Sequence, residues 1–207
     1  MYRGARDRIP YHFSLLQECF KLEMTVGGRR TARRAYGFDE VALVPGPLVI
    51  DARDVDVSWT LGDRRIEVPI LASALDAAVN PRLAKEMSRL GGLAVLNLDG
   101  IQARYENAEE VLQSVAEHPK DSKLIGYIQS LYQNAPVRAD LIARRVKEMK
   151  ESGGLVAVAA APPSAHKAAE AAIEAGADVF GIQSTVGTVR FESREIAEFP
   201  VAEFCQS

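Results

Sequence analysis

The sequence predicts an α/β fold in which buried parallel strands alternate with helices. First, residues 70–73 form an apolar run without polar alternation, which is typical of a strand that is covered on both faces. Second, a unit of helix, glycine and strand follows this run and returns along the chain. Because a helix that links two strands of one sheet makes a right-handed crossover, these strands are expected to lie parallel.

Length, charge and cysteine content narrow the class of protein. The 207 residues suffice for one sizeable domain or for part of a larger one. A net charge of -3 and a pI of 5.7 give no electrostatic basis for binding nucleic acid or an anionic membrane. No apolar run approaches the roughly 20 residues of a membrane span. Two distant cysteines favour a reducing compartment, so a cytoplasmic protein is expected.

The first part of the chain is interpreted as an extension that precedes the domain. Residues 1–28 mix charged and apolar side chains and show neither a long apolar core nor a signal-cleavage site. We expect this extension to be disordered or to precede a natural start at Met24, and residues 29–207 to form the domain. The domain begins with a basic cluster that is expected to face solvent, at Arg29, Arg30, Arg33 and Arg34.

A hairpin is predicted between this extension and the sheet. Residues 41–44 form a short apolar run that ends at the turn signal Pro45-Gly46-Pro47. Apolar and polar residues then alternate over residues 55–59, as in a half-exposed strand. Because Gly62-Asp63 breaks the alternation, the segment is expected to turn back as a hairpin or arm that leads into the core.

Three repeated units follow the first strand. In each unit the apolar residues of a helix share one face, a glycine stops the helix, and an apolar run follows. Glycine suits this stop because it adopts the left-handed conformation without a Cβ clash. The units are helix 81–90 with strand 93–98, helix 141–149 with strand 155–161, and helix 168–173 with strand 179–184.

Two further helices are predicted between the second and third strands. Residues 108–116 place their apolar side chains on one side, and residues 124–132 follow the same spacing after a possible cap at Asp121 or Ser122. The second segment begins Leu124-Ile-Gly-Tyr-Ile, which also suits a strand, so a strand stays an alternative there.

The carboxyl ends of the predicted strands are the expected place for a site, because ligands of parallel α/β folds bind there. Ser73, Leu75 and Asp76 follow the first strand directly. The alternative is that they form only a strand end and a turn. The histidines lack metal-ligand spacing and a serine or cysteine partner in a motif, so a surface or capping role is expected for His12, His118 and His166.

Three segments resemble the catalytic domain of the IMP dehydrogenase / GMP reductase family. They are Tyr36-Gly-Phe-Asp-Glu-Val-Ala-Leu-Val-Pro-Gly, Pro69-Ile-Leu-Ala-Ser-Ala-Leu-Asp and Gly91-Gly-Leu-Ala-Val-Leu-Asn-Leu. They are similar to the family's opening segment, its first strand with the substrate loop, and its second strand. Two further segments resemble the short branch of the family, which lacks CBS regulatory domains. They are Leu96-Asn-Leu-Asp-Gly-Ile-Gln-Ala-Arg-Tyr and Gln183-Ser-Thr-Val.

This resemblance implies a (β/α)8 TIM barrel, which needs about 250 residues and eight strands. Four strands are found, so an incomplete barrel with about the first four βα units is expected. The implied reaction is an NAD- or NADP-linked hydride transfer at C2 of a purine nucleotide, from IMP to XMP or from GMP to IMP. It would pass through a covalent thioimidate on a cysteine. A tetramer-like homo-oligomer is implied as well.

The resemblance also assigns roles to residues at two strand ends. Ser73 and Leu75 would contact the bound nucleotide, with Leu75 where the family usually has methionine. Gln183 replaces the aspartate that the family usually has on the nicotinamide side, and Ser184 follows it. Asp76 would brace its loop rather than react. A metal ligand is not implied.

The same resemblance places the catalytic cysteine beyond the fourth strand, on a glycine-rich loop. Cys205 lacks such a loop and Cys19 precedes the family segment, so no catalytic residue is expected within these 207 residues. We therefore expect no turnover by this chain alone. The alternative function is a catalytically silent half-barrel that acts as an interaction module or is a non-functional fragment.

Overall fold

The computed structural model of the chain describes residues 23–28, 30–33, 35–184 and 200–206. The chain divides into two units, residues 1–55 and residues 56–207. In the first unit, β1 (Glu23–Val26) pairs antiparallel with β2 (Arg30–Arg33). This strand pair, which the sequence analysis did not foresee, lies on both sides of the domain boundary proposed after residue 28. That boundary stays a prediction.

The rest of the first unit contains two short 3-10 turns, Phe38–Glu40 and Ala52–Asp54. The basic cluster is described at Arg30 and Arg33, and both residues are exposed, in agreement with the prediction. Among the described residues of this unit, these large apolar side chains are also exposed: Tyr36, Phe38, Val41, Leu43, Val44, Leu48, Val49, Ile50 and Val55.

The second unit begins with the expected hairpin. Strands β3 (Trp59–Leu61) and β4 (Arg64–Ile66) pair antiparallel around Gly62, whose φ of 63° only glycine adopts easily. The alternation predicted a strand over residues 55–59, but β3 begins only at Trp59, so residues 55–58 lie outside it. Ile66 is buried in a cluster with Leu93 and Ala157, so the hairpin covers the first part of the sheet.

Four parallel strands form the sheet, and their order follows the sequence. They are β5 (Leu71–Ala72), β6 (Leu93–Asn97), β7 (Ala157–Ala160) and β8 (Val179–Ile182). All four predicted strands and their parallel pairing are confirmed. Strand β5 is shorter than predicted because the main chain turns back at once, with the Leu75 N–H donating to the Ser73 carbonyl at 2.7 Å. Among the described strands, β5 and β8 are the edges of this sheet.

Helices connect and cover these strands as the repeated units predicted. They are α1 (Pro81–Arg89), α2 (Ala108–Glu117), α3 (Leu124–Asn134), α4 (Ala139–Lys150), α5 (Ala165–Glu174) and the short α6 (Val201–Phe204). The helical alternative for residues 124–132 is therefore confirmed. The predicted cap is wrong: α3 starts after Lys123, so the Asp121 carboxylate accepts only the Lys123 N–H before the first turn.

The core lies between the sheet and the helices α1, α4 and α5. Leu96 and Val158 from the central strands, with Ile142 and Val146 from α4, are almost completely buried. Alanines at the α5 contact, such as Ala172, let this helix lie close to α4 and the sheet. Among the described residues, no helix is long and apolar enough to cross a membrane.

Candidate functional site

The four residues predicted to contact ligands lie at the carboxyl ends of the two edge strands. Ser73 and Leu75 follow β5, whereas Gln183 and Ser184 follow β8, and all four residues are exposed. The N–H groups of Ala78 and Val79 both donate to the Leu75 carbonyl at 3.0 Å, so the chain after β5 forms a tight turn. The Leu75 side chain remains 59% exposed on this turn.

The structure does not bring these two pairs of residues together. Strands β6 and β7 lie between β5 and β8, so the pairs stand on opposite edges of the sheet. Three inter-strand spacings of about 4.8 Å separate them by about 14 Å along the sheet. Their assignment to substrate and cofactor stays a prediction.

Asp76 fixes the position of the turn after β5. Its two carboxylate oxygens accept the Ile101 N–H at 2.8 and 2.9 Å, and the Tyr132 hydroxyl donates to one of them. A Cβ atom on Gly100 would lie 1.8 Å from the Asp76 carboxylate, so only glycine leaves room there. Asp76 thus joins the loops after β5 and β6 to helix α3, as a bracing residue would.

Asp99 makes the equivalent connection one strand farther along the sheet. It follows β6, and its carboxylate accepts the Ala161 N–H at 2.6 Å and the Ser164 hydroxyl at 2.5 Å in the loop after β7. Each aspartate therefore binds the loop that follows the next strand. Because hydrogen bonds to a charged acceptor are strong, these contacts join the carboxyl ends of the strands to one another. The connected strand ends are called the carboxyl edge below, as distinct from the edge strands β5 and β8.

Arg104 joins the carboxyl edge to the end of helix α3. Its guanidinium donates to the carbonyls of Asp99 at 2.8 Å and Tyr132 at 2.9 Å, and also to the carbonyl of Ala135. A cation is favourable at the Tyr132 and Ala135 carbonyls because they lie at the negative end of the α3 dipole. The Arg104 guanidinium also lies over the Tyr132 ring, 5.3 Å from its centre.

The surroundings of Tyr132 keep its hydroxyl protonated. Burial raises the pKa of Tyr132, and the hydrogen bond and charge of Asp76 raise it further, whereas the charge of Arg104 partly opposes this. The hydroxyl is therefore a donor to Asp76 at all ordinary pH values.

Arg145 holds the same loop from the opposite side. This α4 residue is only 7% exposed, and its guanidinium donates to the carbonyls of Gln102 at 3.2 Å and Glu106 at 2.8 Å. Glu148 compensates its charge at 3.1 Å. The loop after β6 is thus fixed by α3 and by α4, and it provides a rigid support for its neighbours.

Two clefts flank this edge on the helix side. One of about 340 Å³ lies between Asp76, Asn80 and α2, and one of about 410 Å³ lies between the starts of α1 and α2 and the end of α4. Within the described part of the chain, neither lining includes the four predicted contact residues.

The two residues predicted to bind the cofactor carry uncharged polar side chains. The amide of Gln183 and the hydroxyl of Ser184 can donate and accept hydrogen bonds, and both residues are exposed at the end of β8. The Gln183 N–H donates to the Ala160 carbonyl at 2.9 Å, which fixes its main chain. Among the described residues, no group of three or more His, Cys, Asp or Glu side chains is arranged so that it could hold a metal ion.

The remaining reactive side chains have ordinary surroundings. His118 stacks on Tyr127 with ring centres 4.7 Å apart, and the exposed His166 contacts Phe204 edge-on at 5.2 Å. Cys205 is a free, exposed cysteine. His12 and Cys19 lie outside the described residues.

Four residues that build the carboxyl edge were not predicted from the sequence: Asp99, Arg104, Tyr132 and Arg145. An aspartate followed by a glycine directly after a predicted strand was a usable signal for Asp99 and Gly100. The role of Tyr132 had no signal, because its partner Asp76 is 56 residues away along the chain.

Comparison with known proteins gives one consistent result. Residues 35–200 match the sequence model of the IMP dehydrogenase / GMP reductase domain. An uncharacterized oxidoreductase of Mycolicibacterium smegmatis is 37% identical over 165 residues, which are 78% of this chain and 44% of that protein. The inosine-5'-monophosphate dehydrogenase of Methanocaldococcus jannaschii is 38% identical over 66 residues, which are 32% of this chain and 13% of that protein.

A solved structure supports the same relationship. The IMP dehydrogenase/GMP reductase-like protein of Corynebacterium glutamicum superposes with a TM-score of 0.75 and 26% sequence identity. The match covers 93% of this chain and 51% of that one. The chain thus spans about half the length of the solved structure and 44% of the length of its mycobacterial relatives.

Proposed function

This chain belongs to the IMP dehydrogenase / GMP reductase family, and we propose that it supplies one side of the nucleotide site of a purine-nucleotide oxidoreductase. The proposed reaction is an NAD- or NADP-linked hydride transfer at purine C2, from IMP to XMP or from GMP to IMP. The observation that carries the proposal is the rigid carboxyl edge of the sheet, from which Ser73 and Leu75 project without being covered.

Ser73 and Leu75 would bind the nucleotide. The Ser73 hydroxyl can donate or accept a hydrogen bond, and the Leu75 side chain can pack on the apolar face of a purine. Because Leu75 is 59% exposed, a bound base would remove apolar surface from water. Full burial of a leucine side chain stabilises by about 1.5–3 kcal/mol, and the remaining exposed part would yield a fraction of that.

Gln183 and Ser184 would orient the nicotinamide cofactor from the opposite edge. When bound, NAD or NADP accepts or supplies the hydride. The protein's part is to hold the cofactor's amide group, for which the uncharged side chains of these two residues are suited. A charged aspartate at position 183 would instead accept hydrogen bonds only.

We also propose that the four strands are the first half of a (β/α)8 barrel. Leu71 of edge strand β5 and Ile70 directly before it are at least half exposed, and a closed barrel has no such edge. The relatives have more than half of their length outside the matched region. In the proposal, that part covers the edges and carries the catalytic cysteine, and the complete protein is a cytoplasmic homo-oligomer.

A second candidate is a catalytically silent interaction module. The exposed apolar side chains of the first unit, including Phe38, Leu43 and Val49, favour it because such surfaces mark contacts with other proteins. The two candidates differ in one property: only the first requires a purine nucleotide to bind beside Ser73 and Leu75.

Isothermal titration of the purified chain with IMP and with GMP tests the first candidate. We expect binding that Leu75→Ala weakens about tenfold, as the loss of a leucine contact of about 1.4 kcal/mol implies. Leu90→Ala is the matched control, because Leu90 is equally exposed at 61% but lies at the end of α1. An equal effect of both variants, or binding of neither nucleotide, would overturn the proposal.

A turnover assay tests the proposed location of the chemistry. The chain is given IMP with NAD, and GMP with NADPH, while the absorbance of the reduced cofactor is followed. We expect no change in either assay. Turnover by the 207 residues would show that a catalytic group lies within them.

A further inference from the structure

The crossover from β6 to β7 contains more than the fold needs. The crossovers from β5 to β6 and from β7 to β8, both wholly described, each contain one helix. Between β6 and β7, α4 covers the sheet with Val146 and Met149. Helices α2 and α3 precede α4 and are therefore an addition at the carboxyl edge.

The last turn of helix α3 is held to the molecule by hydrogen bonds. None of the residues of α3, all of which the structure describes, is fully buried, although several, including Leu131 and Tyr132, are partly buried. Its last turn is bound at three points: the Tyr132 hydroxyl donates to Asp76, the Tyr105 hydroxyl donates to the Leu131 carbonyl at 2.8 Å, and Arg104 donates to the terminal carbonyls. Two of these points involve the loop after β6.

The contact between Tyr132 and Asp76 is the one that reaches the loop after β5. Asp76 lies one residue beyond Leu75 and three beyond Ser73. If the Tyr132 hydroxyl were removed, the Ile101 N–H would be the one remaining donor to the Asp76 carboxylate among the described contacts. The orientation of the whole turn would then depend on a single main-chain group.

We propose that Tyr132 is a positioning residue for the turn that carries Ser73 and Leu75. Its hydroxyl holds Asp76, and Asp76 holds the turn in the conformation that presents both side chains at the strand end. The consequence for nucleotide affinity rests on the proposed function, in which Ser73 and Leu75 contact the nucleotide. The positioning itself does not depend on any ligand.

Hydrogen–deuterium exchange of the whole chain tests the positioning. The amides of Leu75, Ala78 and Val79 form the hydrogen bonds of the turn, so they report its opening. We expect Tyr132→Phe to accelerate their exchange about tenfold, because it removes a hydrogen bond to a charged acceptor. Tyr127→Phe is the matched control, since among the described residues the Tyr127 hydroxyl of α3 contacts only the Ser114 hydroxyl of α2, at 2.8 Å.

Variants of Asp76 separate positioning from a general loss of structure. Asp76→Ala should accelerate the same three amides, whereas Asp76→Asn should restore part of their protection because its amide oxygen still accepts hydrogen bonds. Circular dichroism checks that each variant is folded. Unchanged exchange at residues 75–79 in folded Tyr132→Phe, or equal acceleration by Tyr127→Phe, would overturn the proposal.

Titration with IMP and GMP completes the test. We expect Tyr132→Phe to weaken nucleotide binding about tenfold and to have a much smaller effect when combined with Asp76→Ala, because the two residues act through one contact. Equal effects in both backgrounds would contradict the proposal. If the unmodified chain binds neither nucleotide, the proposed function fails, while the exchange data alone decide the role of Tyr132.

Discussion

The two ends of the parallel sheet are both held by aspartates, but with different partners. At the amino end, Asp178 precedes β8 and has a side chain that is 15% exposed. It accepts hydrogen bonds from the ammonium of Lys150 at 2.6 Å and the N–H of Val156 at 2.9 Å, with the guanidinium of Arg64 at 3.6 Å. Two of its three partners are charged.

At the carboxyl end, Asp76 and Asp99 bind uncharged groups. Their partners are the N–H groups of Ile101 and Ala161 and two hydroxyls. The amino end thus joins α4 and the β3–β4 hairpin by charge and the start of β7 by a main-chain hydrogen bond. The carboxyl end joins loops to one another and to α3. This difference agrees with the general division of parallel α/β folds, in which the amino face stabilises and the carboxyl face binds ligands.

The largest expected effect comes from filling the space beside Asp76. Gly100→Ala places a Cβ atom 1.8 Å from the carboxylate, so Asp76 must leave the Ile101 N–H. We expect a loss of about 3 kcal/mol in the free energy of unfolding, measured by urea denaturation. Gly126→Ala in α3, where a Cβ meets nothing within 4 Å, should be neutral or slightly stabilising. Equal stability of both variants would show that the carboxyl end does not depend on Asp76.

A smaller effect is expected one strand farther along. Asp99→Ala removes the acceptor of the Ala161 N–H and of the Ser164 hydroxyl, and we expect a loss of about 2 kcal/mol in urea denaturation. Ser164→Ala should lose about 1 kcal/mol, because it removes one of the two hydrogen bonds. If Ser164→Ala were as harmful as Asp99→Ala, the main-chain contact would contribute nothing.

The smallest effect, but the one that depends on pH, is expected at the amino end. Burial opposes the charge of Asp178, but hydrogen bonds from Lys150 and Val156 outweigh it and lower the pKa of the carboxyl. A lowered pKa stabilises the fold above the unfolded value of about 3.9, and this stabilisation is lost as the pH falls through the folded value.

We therefore expect Asp178→Asn to lose about 1 kcal/mol at pH 7 and to approach the unmodified chain as the pH falls from 5 to 2. Thermal unfolding monitored by circular dichroism measures this difference at each pH. Asp63→Asn is the control, because the Asp63 side chain is 92% exposed beside Arg64. A difference that stays constant with pH would contradict the assigned role of the Asp178 charge.

Residues that act locally were predictable from the sequence. The glycine stops at Gly91 and Gly176 ended helices as expected, because a positive φ after a helix is a property of the local chain. The placement of Ser73 and Gln183 at strand ends followed equally from apolar runs that stop. The cap at Asp121 failed because α3 begins after Lys123, two residues later, and such a shift changes which N–H group a side chain reaches.

The sequence by itself determined the parallel α/β fold, the order of its strands and the family. This was possible because apolar periodicity, glycine stops and motif sequences are all local properties of the chain. Only the tertiary structure decided how the strand ends are joined. Asp76 is hydrogen-bonded to Tyr132, Asp99 to Ser164, and Arg145 to the loop after β6, and in each case the partners are far apart along the chain. Such polar contacts leave no periodic trace, since each depends on the geometry that the packed core imposes.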